Sequence, residues 1–175
     1  MQGNYRLYKG AWIFNSDPHL ESKLSVQEIK QLLSKGGVMV RNSYNFDCKE
    51  ETSFWYVIKD SFNGMEELSS KMRNQVKKCF KTMRIEKISA DYLLKYGYEV
   101  FVAATDNYKI KAVPPTKEEF EKRIRNAEEN EFWACFDIES EKMVAFCMNA
   151  VTAGSCEYRT MKAIPEFQKK YAYYG

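Results

Sequence analysis

Apolar residues recur along this chain first at helical spacing and later in alternating and continuous runs, and that change of period divides it. Three helix starts carry one device. Ser25-Val26-Gln27-Glu28, Asn63-Gly64-Met65-Glu66 and Thr116-Lys117-Glu118-Glu119 each set a capping side chain three residues before a glutamate. The first helix runs through Ile29, Leu32 and Leu33 and stops at Gly36-Gly37. Residues 38–41 read as a short strand, and residues 54–58 (FWYVI) as a stronger one rich in side chains that suit a pleated surface. A second helix follows from one stripe at spacings of three and four: Met65, Leu68, Met72, Val76, Phe80 and Met83. Ser89 caps a short helix through Leu93 and Leu94 that ends near Gly97. In residues 98–108, Tyr98, Val100 and Val102 alternate like a strand. Phe101, Ala104, Thr105 and Tyr108 keep a helical period, and helix is the expectation. Pro114-Pro115 breaks the chain before a helix carrying Phe120, Ile124 and Ala127.

After Asn130 the pattern becomes that of strands. Residues 131–138 and 143–151 are apolar-aromatic runs joined by the polar Glu139-Ser140-Glu141-Lys142, the mark of an antiparallel hairpin. Thr152-Ala153-Gly154-Ser155 makes a second turn, residues 156–162 a third strand, and Pro165 ends it. Helices grouped ahead of a late antiparallel meander predict an α+β fold, with a mixed, mostly antiparallel sheet flanked by helices. With no repeat, low-complexity tract or linker, residues 1–175 are expected to form a single domain.

Composition narrows the chemistry more than it selects it. The balance of 45% apolar and 29% charged residues is globular rather than disordered. A net charge of +3 is too mild for a dedicated nucleic-acid binder. No apolar run approaches the roughly 20 residues that span a bilayer. The opening MQGNYRLYKGAWIF has neither the apolar stretch nor the cleavage site of a secretory signal, so a cytoplasmic protein is expected. Cys48, Cys79, Cys135, Cys147 and Cys156 are odd in number and scattered, without a C-x-x-C pair. They read as reduced thiols that mostly fill core, and no metal site is expected. His19, the sole histidine, sits in the turn-forming Ser16-Asp17-Pro18-His19, which argues against a Ser/His or Cys/His mechanism and against a zinc hydrolase.

Four segments carry a family resemblance: FWYVIKD, MRNQVKKCFK, GYEVFVAATDNY and EFWACFDIESEKMVAFCM. Together they resemble the N-terminal half of the GNAT (acyl-CoA N-acyltransferase) fold, in its Fem-like, peptidoglycan-bridge branch. There an Arg/Lys-rich helix follows the first long strand and a W-x-x-F-D-x-x-S/T-x-K hairpin comes later. By order of elements the resemblance runs from about residue 5 to residue 174. It implies transfer of an acyl or aminoacyl group to an amine. It also implies a glycine loop after the fourth strand, opening a helix whose amides hold the coenzyme A pyrophosphate. Here that place is taken by Ala163-Ile164-Pro165-Glu166-Phe167-Gln168-Lys169-Lys170, and the next glycine is Gly175. The expectation is a truncated acyltransferase-like half-fold, incomplete or inactive alone. Acetyl-CoA or another acyl donor would bind only if the groove were completed, and no catalytic or cofactor-binding residue carries over. Two alternatives are an acyltransferase completed across a homodimer and a non-enzymatic binding or scaffolding module.

Charge supplies one further candidate. Lys71, Arg73, Lys77, Lys78, Lys81 and Arg84 surround the second helix, and Arg73, Lys77 and Lys78 are the candidate anion-binding residues. The competing reading is a solvated face opposite an apolar stripe. Asp137 and Glu139 read as solubilising turn residues rather than an acid/base pair. Trp133, Phe136 and Phe146 read as core rather than a base-stacking surface, so nucleic acid is not an expected partner. A half-fold of this kind leaves a strand edge and an apolar sheet face uncovered, which predicts a homodimer and no membrane partner.

Overall fold

The computed structural model describes residues 5–16, 20–45, 48–49, 59–106, 113–127, 130–152 and 155–175. Contacts cluster in two compact units, Met1–Ser61 and Phe62–Gly175. No proline- or glycine-rich run marks the boundary in the sequence.

In the first unit, β1 (Tyr5–Tyr8) and β2 (Ala11–Phe14) form an antiparallel hairpin that the apolar pattern did not announce. Its turn residues Lys9 and Gly10 both have positive φ, 47° and 82°. This is the turn geometry whose twist matches two-residue hairpins, with lysine where asparagine usually stands. The Tyr5 hydroxyl lies 2.6 Å from both Ser22 Oγ and Asn42 Oδ1, fixing the strand to two loops. α1 (Val26–Ser34) opens with the expected capping box: Glu28 N donates to Ser25 Oγ, and Ser25 N to Glu28 Oε2. It ends before Gly36 and Gly37 as expected, both at positive φ. A side chain at residue 37 would meet the Gly10 carbonyl and Leu7 at 3.0 Å, so only glycine fits. β3 (Met39–Arg41) then lies parallel to β2 across the α1 crossover. The expected strand at 54–58 and the His19 turn fall outside the described residues.

The second unit is built on a four-stranded antiparallel sheet in the order β4-β5-β6-β7. It departs from expectation at the second helix. Met65–Glu67 form a single 3-10 turn, and Leu68 is extended. α2 (Ser70–Thr82) starts afresh behind Ser69, whose hydroxyl accepts from Met72 N. Met83 is no longer helix: it opens β4 (Met83–Ile88), which the helical stripe concealed. Of the expected stripe Met83 is buried but Met65, Met72 and Phe80 are exposed, and Cys79, outside the stripe, is buried. MRIEKI alternates because Met83 and Ile85 join one core and Ile88 the other.

α3 (Ala90–Asp106) is a single helix, capped by Ser89 as expected, and bears out helix for residues 98–106. It does not end near Gly97. That glycine is buried at the crossing with α4 (Lys117–Arg125), where an added Cβ would lie 2.5 Å from Leu93 Cδ1 and 3.0 Å from Phe120 Cζ. Glycine serves close packing there rather than chain termination. The Thr116–Glu119 capping box forms as expected. β5 (Asn130–Asp137), β6 (Met143–Thr152) and β7 (Ser155–Ala163) make the expected meander, and α5 (Pro165–Gln168) follows.

Both sheet faces are covered in part. On the first, Leu93, Phe101, Phe120 and Ile124 from α3 and α4 pack on Phe132, Phe136 and Phe146. The rings meet at tilted or edge-on angles with centroids 5.6–6.2 Å apart. On the second, Cys79 of α2 and Ala172 close over Met83, Cys135, Ala145 and Ala163. A bulge opposite Cys135–Phe136 leaves Val144 unpaired and turns it into this second core beside Ala145. Gly97→Ala gains about 1 kcal/mol of helix propensity and loses about 1–3 kcal/mol to overpacking. The expected outcome is a net loss of stability, read as a lowered urea midpoint at unchanged slope.

Candidate functional site

Cross-strand register decides which side chains meet on the second face of the β4–β7 sheet. Ile85, Cys135, Ala145 and Ala163 form one row across four strands, and Lys87, Trp133, Cys147 and Met161 the next. A third row holds Glu131, Asn149 and Tyr158, the last brought into line by a bulge at Arg159. The first row lies under Cys79 and the segment at Ala172, whereas the other two remain open. A slot of about 320 Å³ opens over this face, with Ile85, Trp133, Cys147, Asn149, Tyr158 and Met161 on its walls.

Polar groups are few. Lys87 Nζ is 2.6 Å from Glu131 Oε1, and Trp133 Nε1 donates to Glu131 Oε2 at 3.2 Å. Both hydrogen bonds hold the Glu131 carboxyl below its ordinary value, so it stays ionised at neutral pH. Asn149 Oδ1 is buried without a hydrogen-bond partner. Burial pushes the Cys147 thiol up, which keeps it neutral and unreactive. The Tyr158 hydroxyl donates to Met161 Sδ at 3.1 Å. The arrangement can accommodate an apolar group but sets no acid, base and nucleophile together. Among the described residues no three metal-ligating side chains stand together, and no helix is long and apolar enough to cross a membrane.

Asp137 overturns its sequence reading. It is 2% exposed, accepts from Ser140 N and Ser140 Oγ at 3.0 and 2.7 Å, and pairs with Lys170 Nζ at 3.0 Å. It solubilises nothing. Its carboxylate locks the β5–β6 turn to the segment after β7, whereas Glu139 remains exposed at the edge of Lys170's reach. A turn carboxylate is buried here because Lys170 arrives from 33 residues away, which no local pattern shows.

The three candidate anion-binding residues divide. Arg73 turns its guanidinium back to Leu68 O at 2.5 Å, Glu66 O at 3.4 Å and Ser70 Oγ at 3.2 Å. It thus braces the 3-10 turn before α2. Lys78 Nζ lies 5.3 Å from the Tyr171 ring centroid, a cation–π distance. Lys77 is exposed on the outer face of α2. Of the wider set, Arg84 lies on β4, not on the helix, and pairs with Glu86 while stacking over Phe136.

The segment after β7 stands where the resemblance implies a pyrophosphate cradle. α5 has four residues and no side-chain cap, and Pro165 at its start has no amide hydrogen. The amides of Phe167, Lys170 and Tyr171 donate to Ile164 O, Phe167 O and Gln168 O. With Pro165 lacking an amide hydrogen and these amides committed, the start of α5 does not fit the phosphates of coenzyme A.

No protein-family model matches the chain, and no curated protein matches it. Among solved structures, the ribosomal-protein-S18-alanine N-acetyltransferase from Escherichia coli overlaps half of this chain and half of its own, at 17% identity and a TM-score of 0.39. A possible acetyltransferase from Clostridium difficile 630 overlaps 51% of this chain and 62% of its own, at 12% identity and a TM-score of 0.37. The chain thus spans about half to three-fifths of these proteins. Overlaps this shallow carry no assignment, and the α+β class rests on the sheet and helices themselves.

The Asp137 cluster yields a pH prediction. Its hydrogen bonds with Ser140, followed by Lys170, lower the folded-state pKa below the ordinary aspartate value. The stability it contributes is therefore present above the unfolded pKa and lost as pH falls through the lower folded value. Asp137→Asn is expected to cost about 1–3 kcal/mol at neutral pH and to flatten the acid limb of stability against pH. Urea titrations between pH 2 and pH 7 check both.

Proposed function

We propose that this chain is an acyltransferase-like protein, whose β4–β7 unit supplies the strand–helices–meander part of an N-acyltransferase fold without by itself holding an acyl donor. One observation carries the reading: β4, then α3 and α4 on one face, then the antiparallel β5, β6 and β7 in spatial sequence. That is the order implied by the resemblance to the Fem-like branch of the GNAT fold. The open slot on the other face supports it as a place for an apolar group beside a strand edge. The segment at 163–171 limits the reading, since Pro165 has no amide hydrogen and the amides of Phe167, Lys170 and Tyr171 are committed to turns. No chemical step is assigned to any residue. Should an anionic carrier dock, Lys77 and Lys78 remain the candidate charges on α2, because Arg73 is engaged with backbone carbonyls.

Calorimetric titration of the folded chain with acetyl-CoA tests this directly. The expected outcome is no saturable heat. Binding near one site per chain would show that the residues form a donor site after all, alone or across two copies.

A second reading, a homodimeric binding module, is favoured by the uncovered rows of the same face. Tyr158 is 59% exposed and Val151 37%, next to the open slot. A second copy packing over β6 and β7 would bury this strip with two-fold symmetry. Sedimentation velocity should then show a dimer at micromolar concentration, and a sharp monomer at high micromolar concentration would sink it.

A further inference from the structure

The turn between β1 and β2 meets the start of β3 at one end of the three-stranded sheet. There Val38 N donates to Gly10 O at 2.7 Å. The Val38 side chain lies beside Gly10, and Leu7 lies beside Gly36 and Gly37. This end holds four large apolar side chains in water: Val38 is 81% exposed, and Leu7, Tyr8 and Met39 are about half exposed. Exposed apolar groups gathered in one place mark a contact surface, whereas single ones do not.

Register sets cations directly behind them. Tyr8, Ala11 and Met39 form the end row of one sheet face, and Arg6, Ile13 and Arg41 the next row. Two residues along a strand separate such rows by about 7 Å. Lys9 sits in the turn, and Lys9 and Arg6 both stand over the Tyr8 ring, 5.5 and 5.9 Å from its centroid. Lys35 follows the last residue of α1. The segments 5–14 and 29–43, which build this sheet and its crossover, carry Arg6, Lys9, Lys30, Lys35 and Arg41 and no acidic residue. The whole chain, by contrast, has 27 basic and 24 acidic residues. Glu28 is held in the Ser25 capping box at the opposite end of α1.

We propose that this end of the first unit's sheet docks on an anionic lipid surface. The end row enters the boundary between headgroups and acyl chains, and the cations behind it meet the headgroup phosphates and carboxylates. A spacing of about 7 Å suits the roughly 5–10 Å by which surface-lying apolar faces enter that boundary. A second copy is a poorer occupant, because two-fold packing would bring like charges together. Single-stranded nucleic acid would satisfy the cations but leave the aliphatic Leu7, Val38 and Met39 without a partner. Lying on a surface needs no bilayer-spanning segment, so the missing apolar run does not bear on this hairpin. The inference is independent of the acyl-transfer and dimer readings.

The test is co-sedimentation of the full chain with large vesicles, made of phosphatidylcholine alone or with roughly a third phosphatidylserine. The expected result is pelleting with the phosphatidylserine vesicles only, weakened by added salt. Lys9→Asn removes one cation and suits the positive φ of the turn. It should lower the partition coefficient about fivefold. Val38→Asp changes a side chain outside the core and should abolish pelleting. Lys117→Glu, on α4 in the other unit, controls for bulk charge and should change partitioning far less. Circular dichroism checks that each variant is folded, and Lys9→Asn decides alone should Val38→Asp unfold. No pelleting with phosphatidylserine vesicles, or equal pelleting with phosphatidylcholine alone, would overturn the proposal. So would binding that Lys9→Asn leaves unchanged, or that Lys117→Glu weakens equally. Capture of a labelled single-stranded oligonucleotide in place of vesicles would also overturn it, and assign the cations to a phosphate backbone.

Discussion

The sheet formed by β4–β7 has apolar side chains on both faces, and the rest of the second unit follows from having to cover both. β5 shows the constraint most plainly: from Ala134 to Asp137 every residue is buried. A strand buried on both sides needs layers above and below it. α3 and α4 supply one layer with a phenylalanine cluster. α2 and the segment after β7 supply the other, and they reach only the first row of side chains. The open slot at Trp133, Cys147 and Met161 is what that partial cover leaves.

Two small devices make the second layer possible. The bulge at Val144 turns two successive β6 residues toward α2, thickening the core where Cys79 enters. Asp137 then fastens the segment after β7 through Lys170, with Ser140 satisfying its second oxygen. A buried carboxylate is tolerated only when its hydrogen-bonding capacity is met, and here three donors meet it. Arg73 acts similarly at lower stakes, using a charge that looked available for anions to satisfy carbonyls before α2.

The elements that sequence reasoning found are those specified within a few residues. The capping boxes at Ser25 and Thr116, the stop at Gly36–Gly37 and the 131–151 hairpin all depend on neighbours in the chain. The misplaced boundaries occur where a local pattern fits two structures. Met72, Val76, Phe80 and Met83 keep helical spacing, yet Met83 belongs to a strand because Asp137 pairs opposite it. Gly97 reads locally as a helix end, yet the crossing of α4 needs the missing Cβ. The β1–β2 hairpin escaped because its turn carries Lys9 instead of a residue that marks positive φ.

By itself, then, the sequence determined the α+β class, the caps at Ser25, Ser89 and Thr116, and the positions of β3 and the β5–β7 meander. Those features rest on periodicity, turn chemistry and residue inventory, all of which are local or additive. Tertiary structure alone decided that Asp137 is sequestered, that Arg73 braces a turn, that Cys79 and Cys135 enter one buried cluster, and that one part of the sheet's second face remains open. Each of these depends on which side chains from distant segments arrive at the same place, and strand register and helix crossing fix that only once the chain has folded.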